Sequence, residues 1–117
     1  MKKILVINND FDTMILLKRW LENKGYIVKF TGNRQAAINL LKEFVPSLIL
    51  IDIMQLPLLY NIKSFKEFDG IPVLLMTGYT SKPLDKNIAP DDLITKPFDL
   101  ALLETKIKRL VDNNVEA

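Results

Sequence analysis

The sequence contains no cysteine and no histidine in its 117 residues. Without cysteine, the chain has no disulfide framework, no thiolate nucleophile and no zinc–thiolate site. Without histidine, it lacks the commonest general base and metal ligand of proteins. Hydrolases built on Ser-His-Asp or Cys-His groups and metalloproteases with an HExxH motif are therefore excluded.

Long apolar runs and a strong charge of one sign are also missing. The longest apolar stretches, at 71–76 and 48–51, are far shorter than the roughly 18 residues that a membrane span needs. Lys and Arg number 16 against 14 Asp and Glu, and a net charge of +2 gives no electrostatic basis for nucleic-acid binding. We therefore expect a cytoplasmic protein with no membrane insertion and no direct nucleic-acid contact.

The length and composition suit one compact domain. A chain of 117 residues, 49% of them hydrophobic and 26% charged, can bury a core but is too short for two domains. No repeat, low-complexity segment or Gly/Ser/Pro-rich linker divides it. We expect residues 1–117 to form a single domain with no separate effector domain.

Five short apolar runs recur along the chain, and each is dense enough to be buried on both faces as parallel strands are. The runs are 4–7, 26–30, 48–51, 73–76 and 93–94. Helical or turn-like segments separate them. This alternation predicts an α/β fold with a doubly wound, five-stranded parallel sheet and right-handed crossovers. We expect the flavodoxin-like (βα)5 strand order 2-1-3-4-5, with a ligand site at the carboxyl ends of the strands.

Apolar residues at helical spacing predict three helices, two of them between strands and the last after the fifth strand. The second is capped by Asn33 and the last by Asp99. The segments 56–69 and 81–90 are less regular, and only short helices or turns are predicted there. The apolar stripe of the first helix consists of Phe11, Met14, Leu17 and Leu21, and that of the last of Leu100, Leu103, Ile107 and Leu110.

Polar residues directly follow four of the predicted strands. They are Asn8-Asn9-Asp10, Asp52, Thr77 and Thr95-Lys96. Because the carboxyl ends of parallel strands meet at one edge of the sheet, these side chains are expected to converge. A carboxylate, a hydroxyl and an ammonium at one place match the demands of phosphoryl transfer to an aspartate. Asp52 is then the nucleophile, a magnesium ion offsets the charge beside it, and Thr77 and Lys96 bind the phosphoryl oxygens.

Four segments, in this order and at these spacings, carry a family resemblance. They are KILVI at 3–7, PSLILIDIM at 46–54, IPVLLMTGY at 71–79 and DDLITKPFD at 91–99. Over essentially its full length, the chain resembles a receiver domain of the two-component response regulators. The resemblance implies that Asp52 is the phosphoacceptor, Thr77 the switch hydroxyl and Lys96 the phosphate-contacting lysine. It also implies a cis peptide bond between Lys96 and Pro97.

The first loop departs from the family pattern. The family usually has two adjacent acids there to hold magnesium, and those positions are Asn8 and Asn9. Asp10, one residue further on, is the remaining carboxylate of the loop. By resemblance, the ligands of Mg²⁺ are Asp10, Asn9, Asp52 and the backbone carbonyl of Met54. Neutral amides attract a hard cation less than carboxylates do, so we expect weakened magnesium binding.

Two further positions depart from the family. Pro57 follows Asp52 by five residues instead of four, which predicts a shortened or irregular third helix. Leu93 occupies the place of the aromatic switch residue. Without an aromatic ring there, the usual coupling of Thr77 to a rotating side chain cannot operate in its common form.

The leading hypothesis is a stand-alone receiver module of phosphorelay signalling, and not an enzyme. It accepts a phosphoryl group on Asp52 from a histidine kinase or phosphotransfer protein. Output passes to a downstream protein partner through the face built by the fourth and fifth strand–helix units. The alternative is a pseudo-receiver that binds partners without phosphorylation. There, Asp52 caps a turn and pairs with Lys96, and the first-loop residues cap a helix.

Two hypotheses from other classes fit the residues less well. A phosphohydrolase of the haloacid-dehalogenase type also uses a strand-end Asp, a Thr and a Lys around magnesium. It needs a second Asp two residues after the nucleophile, and Met54 at that position cannot transfer a proton. A flavin binder needs a Ser/Thr/Gly-rich phosphate loop after the first strand, and the loop there is Asn8-Asn9-Asp10.

Overall fold

Five parallel strands form one sheet in the computed structural model of the chain, which describes residues 2–78, 91–97 and 99–115. The strand order is β2-β1-β3-β4-β5, and every neighbouring pair is parallel. The strands are β1 (Lys3–Ile7), β2 (Ile27–Thr31), β3 (Leu48–Asp52), β4 (Val73–Thr77) and β5 (Asp92–Thr95). The predicted doubly wound sheet and its order 2-1-3-4-5 are confirmed.

Helices cover both faces of the sheet and divide the core in two. They are α1 (Phe11–Asn23), α2 (Arg34–Phe44), α3 (Leu56–Ser64) and α4 (Leu100–Val115). Helices α1 and α4 pack on one face, and α2 and α3 pack on the other. Successive strand residues alternate between the faces, so that Val6 joins the first core and Ile7 the second. The helix or turn predicted over 81–90 lies outside the described residues.

The central strands β1, β3 and β4 are buried almost throughout, as their apolar runs predict. The same prediction is wrong for the edge strands β2 and β5. Ile27 on β2 and Leu93 on β5 are exposed, because each strand has a neighbour on one side only. Phe11 and Leu100 are exposed as well and do not join the buried stripes predicted for their helices. Each is the first residue of its helix and lies beyond the part of the core that the helix covers.

The predicted helix caps are confirmed. Asn33 Oδ1 accepts a hydrogen bond of 2.9 Å from the backbone N–H of Ala36, and Asp99 Oδ1 accepts one of 2.9 Å from Ala101. The third helix is short, as the shifted Pro57 predicts: a 3-10 turn at Ile53–Gln55 leads into the 9 residues of α3. Within the described ranges, no helix has the length and apolar character required to cross a membrane.

Candidate functional site

Asp52 ends the central strand β3 and is buried, with 4% of its surface exposed. Both carboxylate oxygens accept hydrogen bonds. Oδ2 accepts one of 2.9 Å from the backbone N–H of Met54 in the following 3-10 turn, and Oδ1 accepts from the ammonium of Lys96. Asp52 is therefore a turn-capping carboxylate and half of an ion pair at the same time.

Lys96 follows the edge strand β5 and is held by backbone contacts. Its N–H donates to the carbonyl of Thr77 at 2.8 Å, which continues the pairing of β4 with β5. The peptide bond from Lys96 to Pro97 is cis, as the resemblance implies. The side chain is 40% exposed, and its ammonium reaches Asp52. The structure thus brings together two of the predicted site residues.

Thr77 lies at the end of β4, one residue beyond Met76, the strand partner of Asp52. The residue is buried, and its hydroxyl donates to the carbonyl of Gly78 at 3.4 Å. Within the described ranges, no hydrogen bond joins this hydroxyl to Asp52 or Lys96. Thr77 is therefore at the predicted edge of the sheet, but its hydroxyl contacts the backbone.

Asn8 and Asn9 of the first loop have different surroundings. Asn8 is 3% exposed, and its Oδ1 accepts a hydrogen bond of 2.8 Å from the backbone N–H of Asp10. Its Nδ2 is buried and has no hydrogen-bond partner in the part of the chain that is described. Asn9 is exposed, and its Oδ1 accepts a hydrogen bond of 2.6 Å from Nε2 of Gln55.

Asp10 lies at the N-terminal end of α1 and contacts that helix. The Thr13 hydroxyl donates to its Oδ2 at 2.6 Å, and this bond lowers the pKa of the Asp10 carboxyl below its ordinary value. The residue is exposed, unlike Asp52. Asp10 is the N-cap residue of α1, but its carboxylate bonds to the Thr13 side chain and not to a backbone N–H of the first turn.

The residues present do not fit the magnesium site that the resemblance implies. The side-chain oxygens of Asn8 and Asn9, both of Asp52 and one of Asp10 accept hydrogen bonds. Asp52 is the carboxylate of the pocket, and Lys96 offsets its charge. No three acidic residues come close enough to hold a metal ion within the described ranges. Mg²⁺ favours several negatively charged oxygen ligands at one place. In the described part of the chain, Lys96 offsets the charge of Asp52, and the exposed carboxylate of Asp10 is bonded to Thr13.

Sequence reasoning missed two contacts that shape the first loop. A Cβ atom on Gly32 would lie 2.8 Å from the carbonyl oxygen of Asn8 and 2.9 Å from Oδ1 of Asn9, so the loop requires glycine there. Gln55 contacts Asn9 across 46 residues of sequence. A glycine at the carboxyl end of β2 is a signal that the sequence contains. Gln55 gives no comparable local signal.

A groove of about 640 Å³ runs beside the site, between α1 and α4. Its walls are largely apolar and include Leu16, Trp20 and Leu100, while Asp10 and Lys96 form its polar part. Leu16 is 69% exposed. The groove therefore joins an exposed apolar surface to Lys96, the partner of Asp52.

Asp92 at the start of β5 fixes α4 to the sheet. It accepts a hydrogen bond of 2.9 Å from Nζ of Lys106 and another from the Arg109 guanidinium. Burial raises the pKa of the Asp92 carboxyl, but the bonds and charges of Lys106 and Arg109 outweigh burial and hold it below 3.8. These contacts set the position of the helix that lines the groove.

Comparison by sequence and comparison by structure both match the chain to receiver domains. A family profile described as the response regulator receiver domain matches residues 4–108. A transcriptional regulatory protein CpxR homolog of Haemophilus influenzae is 30% identical, over 95% of this chain and 51% of its own length. The alkaline phosphatase synthesis transcriptional regulatory protein PhoP of Bacillus subtilis is 30% identical, over 94% of this chain and 48% of its own length.

Among solved structures, the signal receiver domain of a signal transduction histidine kinase from Syntrophus aciditrophicus superposes with a TM-score of 0.84. It is 26% identical, and the match covers 97% of this chain and 92% of that domain. The chain spans about half the length of the two regulators, but nearly the whole of this solved domain.

Proposed function

The chain belongs to the response regulator receiver domain family, and from this premise we propose that it accepts a phosphoryl group on Asp52 and signals by protein contact. The observation that carries the proposal is the position of Asp52. It is a buried carboxylate at the carboxyl end of the central strand, paired with the ammonium of Lys96. Receiver domains are generally non-enzymatic modules that interact with histidine kinases and downstream partners.

The proposed transfer moves one phosphoryl group from a phosphohistidine to Asp52. A carboxylate oxygen attacks phosphorus and forms the O–P bond of an acyl phosphate while the P–N bond to histidine breaks. The bonding electrons leave with the ring nitrogen, and the imidazole, protonated on its other nitrogen, departs neutral. Lys96 keeps its proton and moves from the carboxylate to the new phosphoryl oxygens. The Thr77 hydroxyl turns from the Gly78 carbonyl to donate to one of them.

The groove between α1 and α4 is the proposed docking surface for the phosphodonor protein. Its lining includes Lys96, the partner of Asp52, so a histidine presented from the groove is brought next to the Asp52–Lys96 pair. Exposed Leu16 and Leu100 offer apolar area to a histidine kinase or phosphotransfer protein. The output face predicted for a downstream partner includes exposed Leu93, and part of it lies in 79–90, outside the described residues.

One observation favours the pseudo-receiver as the second candidate. Asp52 already has a hydrogen bond on each oxygen, and its pocket lacks the acid pair that the family uses for metal. A module with this pocket can bind partners in its unmodified state. The stand-alone role stays a prediction, because the two regulators are about twice as long as this chain. The cytoplasmic location stays a prediction as well.

The test of phosphorylation is intact-mass analysis of the purified chain after incubation with acetyl phosphate, with and without MgCl2. We expect a gain of one phosphoryl group in the wild-type chain and none in Asp52→Asn. Asp69→Asn is the matched control, since Asp69 is an exposed carboxylate and should leave the gain unchanged. A folded wild-type chain that gains no mass under either condition, or from a phosphorylated histidine donor, would favour the pseudo-receiver.

A further inference from the structure

The buried side-chain amide of Asn8 is hydrogen-bonded through its oxygen but, within the described residues, not through its nitrogen. Its Oδ1 accepts from the backbone N–H of Asp10, and this bond fixes which end of the amide is which. Its Nδ2 has no acceptor within the described residues. A buried donor without a partner destabilises the folded chain, and an acceptor supplied by a bound group would remove that cost.

The unpartnered donor lies next to Asp52. Ile7 of β1 pairs with Ile51 of β3, so the next residues along the two strands are Asn8 and Asp52. Both follow residues of the α1–α4 core by two positions, Val6 and Leu50 respectively. Because side chains alternate along a strand, Asn8 and Asp52 belong to that same face of the sheet.

Lys96 belongs to this face by the same reasoning. It follows Ile94, another residue of the α1–α4 core, by two positions, and its ammonium contacts Asp52. Asp52 therefore has N–H donors in its surroundings from Lys96 and from Asn8. An amide nitrogen and an ammonium donate hydrogen bonds and cannot ligate a cation. The pocket suits the oxygens of an anion attached to Asp52.

We propose that this receiver holds the phosphoryl group on Asp52 without a divalent cation, with Lys96 and Nδ2 of Asn8 binding its oxygens. This inference rests on the proposed function and deepens it. Bond making and breaking are those of the transfer described above. The negative charge that accumulates on the phosphoryl oxygens is offset by the Lys96 ammonium and the two N–H bonds of the Asn8 amide.

The decisive experiment compares phosphorylation by acetyl phosphate in excess EDTA and in millimolar MgCl2, followed by intact mass. The wild-type chain should reach the same extent at rates within about twofold in both buffers. Asn8→Asp keeps the oxygen that accepts from Asp10 but loses the Nδ2 donor, so its rate in EDTA should fall by about tenfold or more. Asn23→Asp, on an exposed side chain of α1, should leave the rate in EDTA within about threefold of wild type.

A second readout measures metal binding without phosphorylation. A ligand that binds the folded state raises the thermal unfolding midpoint. MgCl2 should leave the midpoint of the wild-type chain unchanged and raise that of Asn8→Asp/Asn9→Asp, which restores the acid pair. The matched control is Asn23→Asp/Asn39→Asp, which adds the same charge on exposed helix positions and should not respond.

The outcomes separate the inference from the function on which it rests. Phosphorylation of the wild-type chain in MgCl2 alone, or a rise of its unfolding midpoint with MgCl2, overturns the inference and leaves the proposed function standing. Metal-free phosphorylation that Asn8→Asp does not slow overturns the role of Asn8. Absence of phosphorylation in both buffers overturns the proposed function itself.

Discussion

The carboxylate of Asp52 and the ammonium of Lys96 form an ion pair between the ends of strands β3 and β5, which are not neighbours in the sheet. Strand β4 lies between them, so the lysine side chain crosses the end of β4 to reach its partner. The pair joins residues 44 positions apart in sequence. It is therefore both the centre of the proposed site and a tertiary contact across three strands.

Removing Lys96 should destabilise the fold by leaving a buried carboxylate without its cation. We expect Lys96→Met to lower the free energy of unfolding at neutral pH by about 1–3 kcal/mol, discounted for the exposure of the lysine. Adding Asp52→Asn should recover much of the loss, because no uncompensated charge is then buried. Urea denaturation of both single variants and the double variant measures this coupling.

The control for that cycle is Lys18→Met. Lys18 pairs with Glu22 on the exposed side of α1, and such pairs contribute about 0.3–0.5 kcal/mol. A cost for Lys96→Met no greater than that of Lys18→Met would contradict the view of the Asp52–Lys96 pair as a structural contact.

Gly32 should be intolerant of substitution. Because a Cβ atom there would meet the backbone of Asn8 at 2.8 Å, Gly32→Ala should displace the first loop and cost about 1–3 kcal/mol. Gly70→Ala is the matched control, since no atom lies within 4 Å of a Cβ at that position. Thermal unfolding of the two variants checks this. Equal unfolding midpoints would show that the first loop shifts to make room for the Cβ atom at little cost in stability.

Asp92 should make stability depend on pH. Its pKa is lowered in the folded chain, so the stabilisation from the ionised group is present above its ordinary value of 3.8 and is lost as pH falls through the folded value. Asp92→Asn should therefore cost about 1–2 kcal/mol at pH 7 and less below pH 3.8. Urea denaturation at a series of pH values compares the variant with the wild-type chain. A difference that stays constant down to pH 3.8 and below would contradict this role.

A charge in the groove should block a protein donor but not a small one. We expect Leu16→Glu to slow phosphorylation from a phosphohistidine protein by about tenfold or more while leaving acetyl phosphate unaffected, because only the protein needs the apolar wall. Leu102→Glu is the control, since Leu102 is an exposed leucine of α4 outside the groove lining. Equal slowing by both variants would indicate a general effect of charge.

The sequence predicts those features of the fold that depend on residues close together along the chain. The runs of β1, β3 and β4 identify buried parallel strands, and Asn33 and Asp99 identify helix starts, because their side chains act within a few residues. Exposure of the edge strands could not be predicted from apolar density, since it depends on which strands end up with one neighbour.

In the site, too, the sequence predicts where residues lie along the strands but not the contacts that their side chains make with distant segments. Strand-end positions place Asp52, Thr77 and Lys96 at one edge of the sheet. The direction of each side chain depends on its tertiary surroundings. The Asn9–Gln55 bond and the orientation of the Asn8 amide arise only when distant segments meet. These contacts decide whether the pocket suits a cation or an anion.

The crossing of β4 by the Lys96 side chain also bears on the order in which the molecule is completed during synthesis. A nascent chain that has emerged only through residue 78 contains β1 to β4 and can pair all of them, but Lys96 is still to come. Asp52 then stays without its cation until β5 docks on the sheet edge. Docking of β5 and pairing of Asp52 with Lys96 become a single event, and α4 then covers the sheet from the same side as α1.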